Sequence, residues 1–289
     1  MKKESKYKIE FLIVMCAFGI LGPIIKAINL PSSAIACLRA WISTIVLTIY
    51  FVLSKRHISK ETLKASIVPL IFCGICMAGD WIGLFESYNY TTVASATVAY
   101  YMEPIFVVIG CAIFLKEKIR KKHYICILVA FVGMAMISGI VENGVPKLAD
   151  LKGVLLAMLG GLFYAGIVLL NKKYLTDVDP VFRTDVQLFV AGIITIPYVC
   201  LTEDVSSFSL DTKSVLLLLF LGVVMTAFTY IFYFTNIVRI PTQTAAIFSY
   251  GDPVVAVIVS VLFMHEPITI YGIIGAILVI GSAIVGELE

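Results

Sequence analysis

Charged residues are scarce in this sequence: they make up 14% of its 289 residues, against about 25% in an ordinary soluble domain. Hydrophobic residues make up 60%, and the mean hydropathy is +1.01. A chain of 31.7 kDa cannot bury this much apolar surface in one core, so much of it must face lipid. The composition argues against soluble enzymes, nucleic-acid-binding proteins, disordered chains and secreted disulfide scaffolds. The net charge of +3 is too small to indicate a polyanionic partner.

Residues that carry enzyme or metal chemistry are also few. There are three histidines, His57, His123 and His265, each at the end of an apolar run, and neither HExxH nor GxSxG occurs. The seven cysteines lie in apolar stretches, and no histidine nearby completes a metal set. Cys73 and Cys76 form a CxxC within such a stretch, where cysteine acts as a small hydrophobic residue. The sequence therefore predicts no metal site, no cofactor and no enzyme activity.

The hydrophobic residues form runs long enough to cross a bilayer, which takes about 20 helical residues. Ten runs are predicted as transmembrane helices, at residues 9–29, 33–54, 66–87, 92–115, 124–141, 153–171, 183–201, 214–235, 242–264 and 269–286. Apolar residues surround most of them, as lipid-embedded helices require. The connections are too short for a separate catalytic domain. The predicted fold class is an all-α integral membrane protein with ten transmembrane helices.

Lysine and arginine are unequally distributed between the predicted loops. With a cytoplasmic N-terminus, the inside segments hold 17 of them and the outside segments hold 4. Arg183, at the start of the seventh span, counts among the inside residues, and Arg39 lies within the second span. Because cytoplasmic loops carry the excess of basic residues, this distribution predicts a multi-pass protein of the cell membrane with both termini in the cytoplasm.

The sequence contains an internal repeat. Shifting the chain by 149 residues aligns Pro31 with Pro180, Tyr101 with Tyr250, Glu103 with Asp252, Pro104 with Pro253, and Glu117 with Glu266. Each half holds five predicted spans, so the second half must be inverted relative to the first. Residues 1–148 and 149–289 are therefore predicted to be two inverted five-helix repeats. Many secondary transporters have this architecture, with substrate held near the midplane.

Two stretches make the sequence resemble a known family. The first is NYTTVASATVAYYMEPIFVV followed by LKEKI, and the second is TQTAAIFSYGDPVVAVIVSVLFMHEPIT. With the Pro31–Arg39 opening of the second span, they resemble the ten-helix EamA-type branch of the drug/metabolite transporter superfamily, over essentially the whole chain. The resemblance implies export of amino acids or other metabolites, although some relatives import small organic compounds. Glu103 departs from the family, which usually has a small or apolar residue there, whereas Asp252 is common.

Several ionisable residues fall inside predicted spans, where each costs about 2.5–3.5 kcal/mol at the helix centre. Glu103, Asp252 and Asp80 lie near mid-depth, Glu86 lies nearer the outer end of its span, and Arg39 lies about two turns into the second. A carboxylate without a partner in such surroundings tends to take up a proton. The mid-depth acids are therefore interpreted as proton-coupling sites or as counter-ions for a cationic group. Arg39 either pairs with Glu86 or Asp80, or holds a substrate carboxylate.

Aromatic residues are predicted to complete the site, since an aromatic face attracts an ammonium group by about 0.5–2 kcal/mol. Those available near the predicted cavity are Trp41, Trp81, Tyr88, Tyr90, Tyr100, Tyr101, Tyr164, Tyr230, Tyr233 and Tyr250. Of these, Trp81, Tyr101 and Tyr250 are predicted to shape the pocket, because the two tyrosines precede mid-membrane prolines. Glu117 and Glu266, which end the fourth and ninth spans, are interpreted either as gates or as solvated helix ends.

The function predicted from these features is secondary transport by alternating access, with or without coupling to protons. The substrate is a small cationic or zwitterionic molecule, an amino acid or an organic amine, and export is favoured. The predicted substrate-binding residues are Glu103, Asp252, Tyr101, Tyr250, Trp81, Arg39 and Asp80. The alternatives are an importer or uniporter of a small organic cation, a channel, and an intramembrane enzyme. The predicted partners are the substrate and the lipid bilayer, and no nucleic acid.

Overall fold

The computed structural model describes residues 2–137, 140–143, 151–264 and 269–287, and within these ranges the chain is helical without a β-strand. The α-helices are α1 (Lys2–Gly19), α2 (Leu21–Lys26), α3 (Ser32–Leu53), α4 (Lys60–Ser87), α5 (Val93–Tyr100), α6 (Glu103–Phe114), α7 (Lys121–Ile137), α8 (Ile140–Asn143), α9 (Leu151–Tyr174), α10 (Pro180–Thr202), α11 (Thr212–Phe220), α12 (Thr229–Ile237), α13 (Thr242–Ser249), α14 (Gly251–Met264) and α15 (Ile270–Glu287). A 3₁₀ turn, Val205–Ser207, precedes α11, and a π-helical segment, Leu221–Phe228, joins α11 to α12.

Seven stretches of the described chain are long and apolar enough to cross a membrane. They are Ser5–Lys26, Ser32–Leu53, Lys60–Ser87, Ser95–Phe114, Leu151–Tyr174, Pro180–Thr202 and Thr212–Ile237. The other three predicted spans coincide with α7, with α13 and α14 together, and with α15. The chain is therefore an all-α, multi-pass membrane protein, and the number of ten spans stays a prediction.

Polar side chains begin several of the helices. Ser59, Thr92 and Asp211 each accept a hydrogen bond from a backbone amide three residues later, at 3.0–3.2 Å. Asp179 caps α10 in the same way and also pairs with Arg56, Oδ2 to Nη1, at 2.5 Å. Each such cap contributes about 1 kcal/mol. Together they determine where the apolar segments begin.

The fourth predicted span is broken in its middle. Helix α5 ends at Tyr100 and α6 begins at Glu103. Pro104 has no amide hydrogen to donate, and the amide of Ile105 bonds to the carbonyl of Met102 at 3.0 Å. The carbonyls that end α5 therefore lose their usual donors one turn later. The ninth predicted span has a matching break at Tyr250, between α13 and α14.

Two glycines let other helices pass directly over these breaks. Gly161 of α9 lies against the break after α5, where a Cβ atom would come within 2.6 Å of the Tyr100 carbonyl oxygen. Gly19 of α1 lies against the break before α14, where a Cβ atom would come within 2.5 Å of the Asp252 carbonyl oxygen. Both positions exclude a side chain because the obstacle is backbone. These contacts hold the broken helices in the centre of the bundle.

The π-helical segment Leu221–Phe228 is a feature that the sequence pattern did not predict. Thr226 and Thr229 each donate a side-chain hydrogen bond to the carbonyl five residues earlier, at 2.8 and 2.9 Å. Ser43 of α3 donates to the carbonyl of Gly222 at 2.7 Å. These bonds satisfy carbonyls that the wider π turn leaves exposed. The segment leads directly into α12, which carries Tyr230 and Tyr233.

Arg183, counted among the inside basic residues, is buried and only 1% exposed. Its Nη1 donates to the carbonyl of Leu175 at 2.7 Å, and its Nη2 donates to the carbonyl of Phe234. Both carbonyls lie near helix C-termini, whose partial negative charge stabilises a cation. Because these helix ends supply its partners, Arg183 needs no carboxylate. Without Arg183, the count of basic residues inside falls from 17 to 16, against 4 outside. This distribution still favours a cytoplasmic location of both termini.

Candidate functional site

Three carboxyl groups from three helices approach one another in the interior. They belong to Asp80 of α4, Glu103 of α6 and Asp252 of α14, and Glu103 interacts electrostatically with both others. Asp80 and Glu103 are each 5% exposed, and Asp252 is partly buried. Oδ1 of Asp80 and Oε2 of Glu103 have no hydrogen-bond partner among the described residues. Since buried polar atoms are nearly always paired, these oxygens indicate a site for a ligand or water.

Tyr100 lies between two of these carboxyl groups. Its phenol interacts with both Asp80 and Glu103, although the sequence provided no reason to prefer it over the other aromatic residues. A phenol both donates and accepts hydrogen bonds, so it can link the two acids. The carbonyl of the same residue faces Gly161. Tyr100 is therefore a further member of the site.

The two helix breaks are joined by tyrosines. The Tyr101 hydroxyl donates to the carboxylate of Asp252, and the Tyr250 hydroxyl donates to the Tyr101 carbonyl at 3.1 Å. The two rings are stacked, with centroids 6.4 Å apart. That carbonyl is available because Ile105 bonds to Met102 instead. The structure therefore brings Tyr101, Tyr250 and Asp252 together beside Glu103.

Arg39 packs against an aromatic ring and forms no direct ion pair with Glu86 or Asp80. Its guanidinium lies over the ring of Trp81, 4.5 Å from the centroid, and its charge acts on Asp80. Within the described ranges no carboxylate lies within 4.0 Å of it, and its buried Nε has no partner. Glu86 instead accepts a hydrogen bond from Tyr198 at 2.8 Å. Arg39 is thus a buried cation without a direct ion pair.

Three tyrosines of α9 and α12 also belong to the cluster. The hydroxyls of Tyr164 and Tyr233 are 2.6 Å apart, and both residues interact electrostatically with Glu103. Tyr230 interacts with Trp81, and its ring centroid lies 6.2 Å from that of Tyr233. Because α9 and α12 follow residue 149 and α4 and α6 precede it, both predicted halves contribute to the site.

Glu117, one of the two residues predicted as gates, lies away from this cluster. Glu117, after α6, pairs with Lys172 near the end of α9, with Oε1 and Nζ 3.8 Å apart. Lys172 is 7% exposed at its side chain and also donates to the carbonyl of Ile240, before α13, at 3.0 Å. One ammonium group therefore connects three segments at one end of the bundle. Glu266 lies outside the described residues.

Asp185 was missed by the sequence reasoning, although it falls within the predicted seventh span. It accepts a hydrogen bond from the Thr48 hydroxyl at 2.9 Å, between α10 and α3, and its other oxygen is unpaired among the described residues. It is part of the α3–α10 contact and has no contact with the central acids. Asp185 and the buried Arg183 therefore join the five ionisable residues that the sequence analysis placed inside predicted spans.

A bundle of membrane-crossing helices around a buried polar centre is the arrangement of a membrane transporter. The sequence profile of the EamA-like transporter family matches residues 8–139 and 151–285. The chain belongs to this family.

Individual relatives agree with this assignment. One is "Uncharacterized transporter YxxF" of Bacillus subtilis (strain 168), 27% identical over 281 residues, covering 96% of this chain and 88% of the relative. Another is an "Uncharacterized transporter" of Archaeoglobus fulgidus, 28% identical over 247 residues, covering 86% and 85%. A crystal structure of a protein 14% identical matches with a TM-score of 0.86 over 98% of this chain and 97% of the other, which shows the fold. The family and the relatives' names point to transport and not to catalysis, as predicted.

Proposed function

We propose that this transporter carries a small organic molecule with an amino group, an amino acid or an organic amine, by alternating access, and that it exports it. The observation that carries this proposal is the buried cluster of Asp80, Glu103 and Asp252, with two carboxyl oxygens that have no partner in the described chain. An ammonium group supplies hydrogen-bond donors and a positive charge, both of which these oxygens require.

The charge of the cluster favours a cation over an anion. The cluster has three carboxyl groups, and one guanidinium, that of Arg39, acts on Asp80, whereas an anionic substrate requires grouped Lys and Arg side chains. Arg183 cannot serve, because carbonyls at helix ends already occupy it. The tyrosine faces add attraction for an ammonium group. Arg39 is left to bind the carboxylate of a zwitterionic substrate.

Helix packing supports the proposed division into two inverted halves, 1–148 and 149–289. Helix α1 of the first half passes over the break of the second, at Asp252, and α9 of the second passes over the break of the first, at Tyr100. This exchange is what a two-fold relation between the halves produces. The boundary at 148 and 149 lies outside the described residues. We further propose that both termini are cytoplasmic, on the distribution of lysine and arginine.

Proton coupling follows if substrate and proton compete for the same oxygens. Once the ammonium group of the substrate has left, a carboxylate of Glu103 or Asp252 loses its positive partner. To remain buried, it must take up a proton. The protein then carries substrate in one direction and a proton in the other. Motion between the two open states must separate the contacts that close each end, of which the Lys172 contact with Glu117 and Ile240 is one.

The proposed substrate class can be tested by thermal unfolding of the purified protein with four matched compounds: an amino acid, its decarboxylated amine, its amide and the acid that lacks the amine. Binding raises stability by about 2.7 kcal/mol at a ligand concentration 100 times Kd. We expect the three amino compounds to raise the unfolding temperature and the acid to have no effect. Stabilisation by the acid alone would overturn the proposal, and a lack of saturable counterflow in liposomes would favour a channel.

Replacing Glu117 with glutamine tests the proposed gate. We expect transport in liposomes to slow several-fold, because Lys172 loses its charged partner while it keeps its bond to Ile240. The unfolding temperature should change little, since a partly exposed ion pair contributes about 0–1 kcal/mol. Glu61→Gln, at an exposed acid in the first turn of α4, is the control. Equal transport by the two variants would show that Glu117 is only a solvated helix end.

A further inference from the structure

We propose that the segment 115–121, between α6 and α7, binds the phosphate groups of anionic phospholipids. Four of its seven residues are basic, and all four side chains are exposed: Lys116, Lys118, Arg120 and Lys121. The proposal concerns lipid binding alone and does not depend on the substrate. It requires only that the chain spans a membrane.

The segment is anchored so that its cations point outward. Leu115 packs against one hydrophobic cluster, Ile119 packs against another, and Glu117 between them pairs with Lys172. The residues that alternate with these three, Lys116, Lys118 and Arg120, are exposed. Packing therefore presents the basic side chains in a row on one face.

Among the described residues, no acid neutralises the positive charge of this row. The one acid of the segment, Glu117, faces Lys172 instead. No acid in the described part of the chain lies within 4.0 Å of the four basic groups, whereas Lys6 pairs with Glu10 and Arg56 pairs with Asp179 elsewhere. Within the described ranges the row therefore lacks a counter-charge, which a bound anion can supply.

The row lies at the height of lipid headgroups. It directly follows the membrane-crossing stretch Ser95–Phe114, and Lys121 is the first residue of α7. Phe114 and Ile125 flank it with largely exposed apolar side chains, which meet acyl chains, and the exposed Tyr124 suits the interface between chains and headgroups. The positive end of α7 adds to the attraction for an anion. Phosphates of anionic lipids are the counter-charge available at this height.

The test is native mass spectrometry of the full chain in an uncharged detergent, titrated with phosphatidylglycerol or phosphatidylcholine of identical acyl chains. We expect wild type to prefer phosphatidylglycerol, and K118Q/R120Q/K121Q to lose at least about tenfold of that preference, since each cation near an anionic surface contributes about fivefold. Lys116 is left unchanged so that this variant removes three cations, the same number as the control.

The matched control, K55Q/K60Q/K64Q, removes three exposed lysines from the loop before α4 and from its first turns. It should retain the preference. Equal preference in the two triple variants, or equal loss in both, would overturn the proposal in favour of diffuse surface charge. Equal competition by soluble glycerol 3-phosphate would also overturn it. If K118Q/R120Q/K121Q does not fold, the single variant R120E is measured in its place. An unchanged preference for phosphatidylglycerol in R120E would overturn the proposal.

Discussion

Replacing Glu103 with glutamine is expected to abolish stabilisation by amino compounds while leaving the empty protein at least as stable as wild type. The substitution keeps the shape of the side chain and removes the charge that would bind an ammonium group. A hydrogen bond to a charged group contributes about 1.5–3 kcal/mol, which corresponds to a loss of affinity of roughly 10- to 150-fold. The empty protein gains because an unpaired carboxyl near Asp80 and Asp252 is removed.

The measurement is thermal unfolding with and without the amine and amino-acid compounds, in Glu103→Gln and in a matched variant, Glu86→Gln. Glu86 also lies in a membrane-crossing helix, but its partner is the Tyr198 hydroxyl, from which a glutamine carbonyl can still accept. We expect Glu86→Gln to keep the ligand response. A full response in Glu103→Gln would show that this carboxyl does not bind the substrate.

Replacing Gly19 with alanine is expected to lower the unfolding temperature strongly. The added methyl group would lie 2.5 Å from the Asp252 carbonyl oxygen and 2.7 Å from the Val255 Cβ. Neither atom belongs to a flexible side-chain end, so α1 must move away from the break. Overpacking of this kind costs about 1–3 kcal/mol. The displacement should also disturb the bond between Tyr101 and Asp252.

The control for this substitution is Gly281→Ala in α15, where nothing lies within 4 Å of the added methyl group. An alanine there should leave stability unchanged or raise it by up to about 1 kcal/mol, since glycine is the poorer helix former. Unfolding temperatures of the two variants in the same detergent decide the matter. Equal effects would mean that α1 does not pack closely on the break.

The sequence predicted those features that depend on local chemistry. Apolar runs predicted the seven membrane-crossing stretches of the described chain, because length and hydropathy are properties of the residues themselves. The repeat likewise aligned Tyr101 with Tyr250, two residues whose rings the structure stacks. In each case the signal lies in the residue itself or in its spacing along the chain.

Features that depend on which side of a helix faces which neighbour were not predictable in this way. Arg183 reads as a loop residue from its position, yet two helix ends make it a buried one. Tyr100 and Tyr164 were two aromatic residues among ten, and only packing of α5 and α9 brings them to Glu103. Helices that are apolar on all sides have no amphipathic stripe to report their orientation.

The two hydrogen bonds that connect the helix breaks differ in which side chains they require. Tyr101 reaches Asp252 through its side chain, whereas Tyr250 bonds to the main-chain carbonyl of residue 101. Any amino acid at position 101 supplies that carbonyl. A mutation at position 101 therefore removes the hydrogen bond to Asp252 and keeps the one from Tyr250. The two helix breaks stay connected while positions 101 and 252 change one after the other. Substrate specificity at this point can therefore evolve by single substitutions that leave the two helix breaks connected.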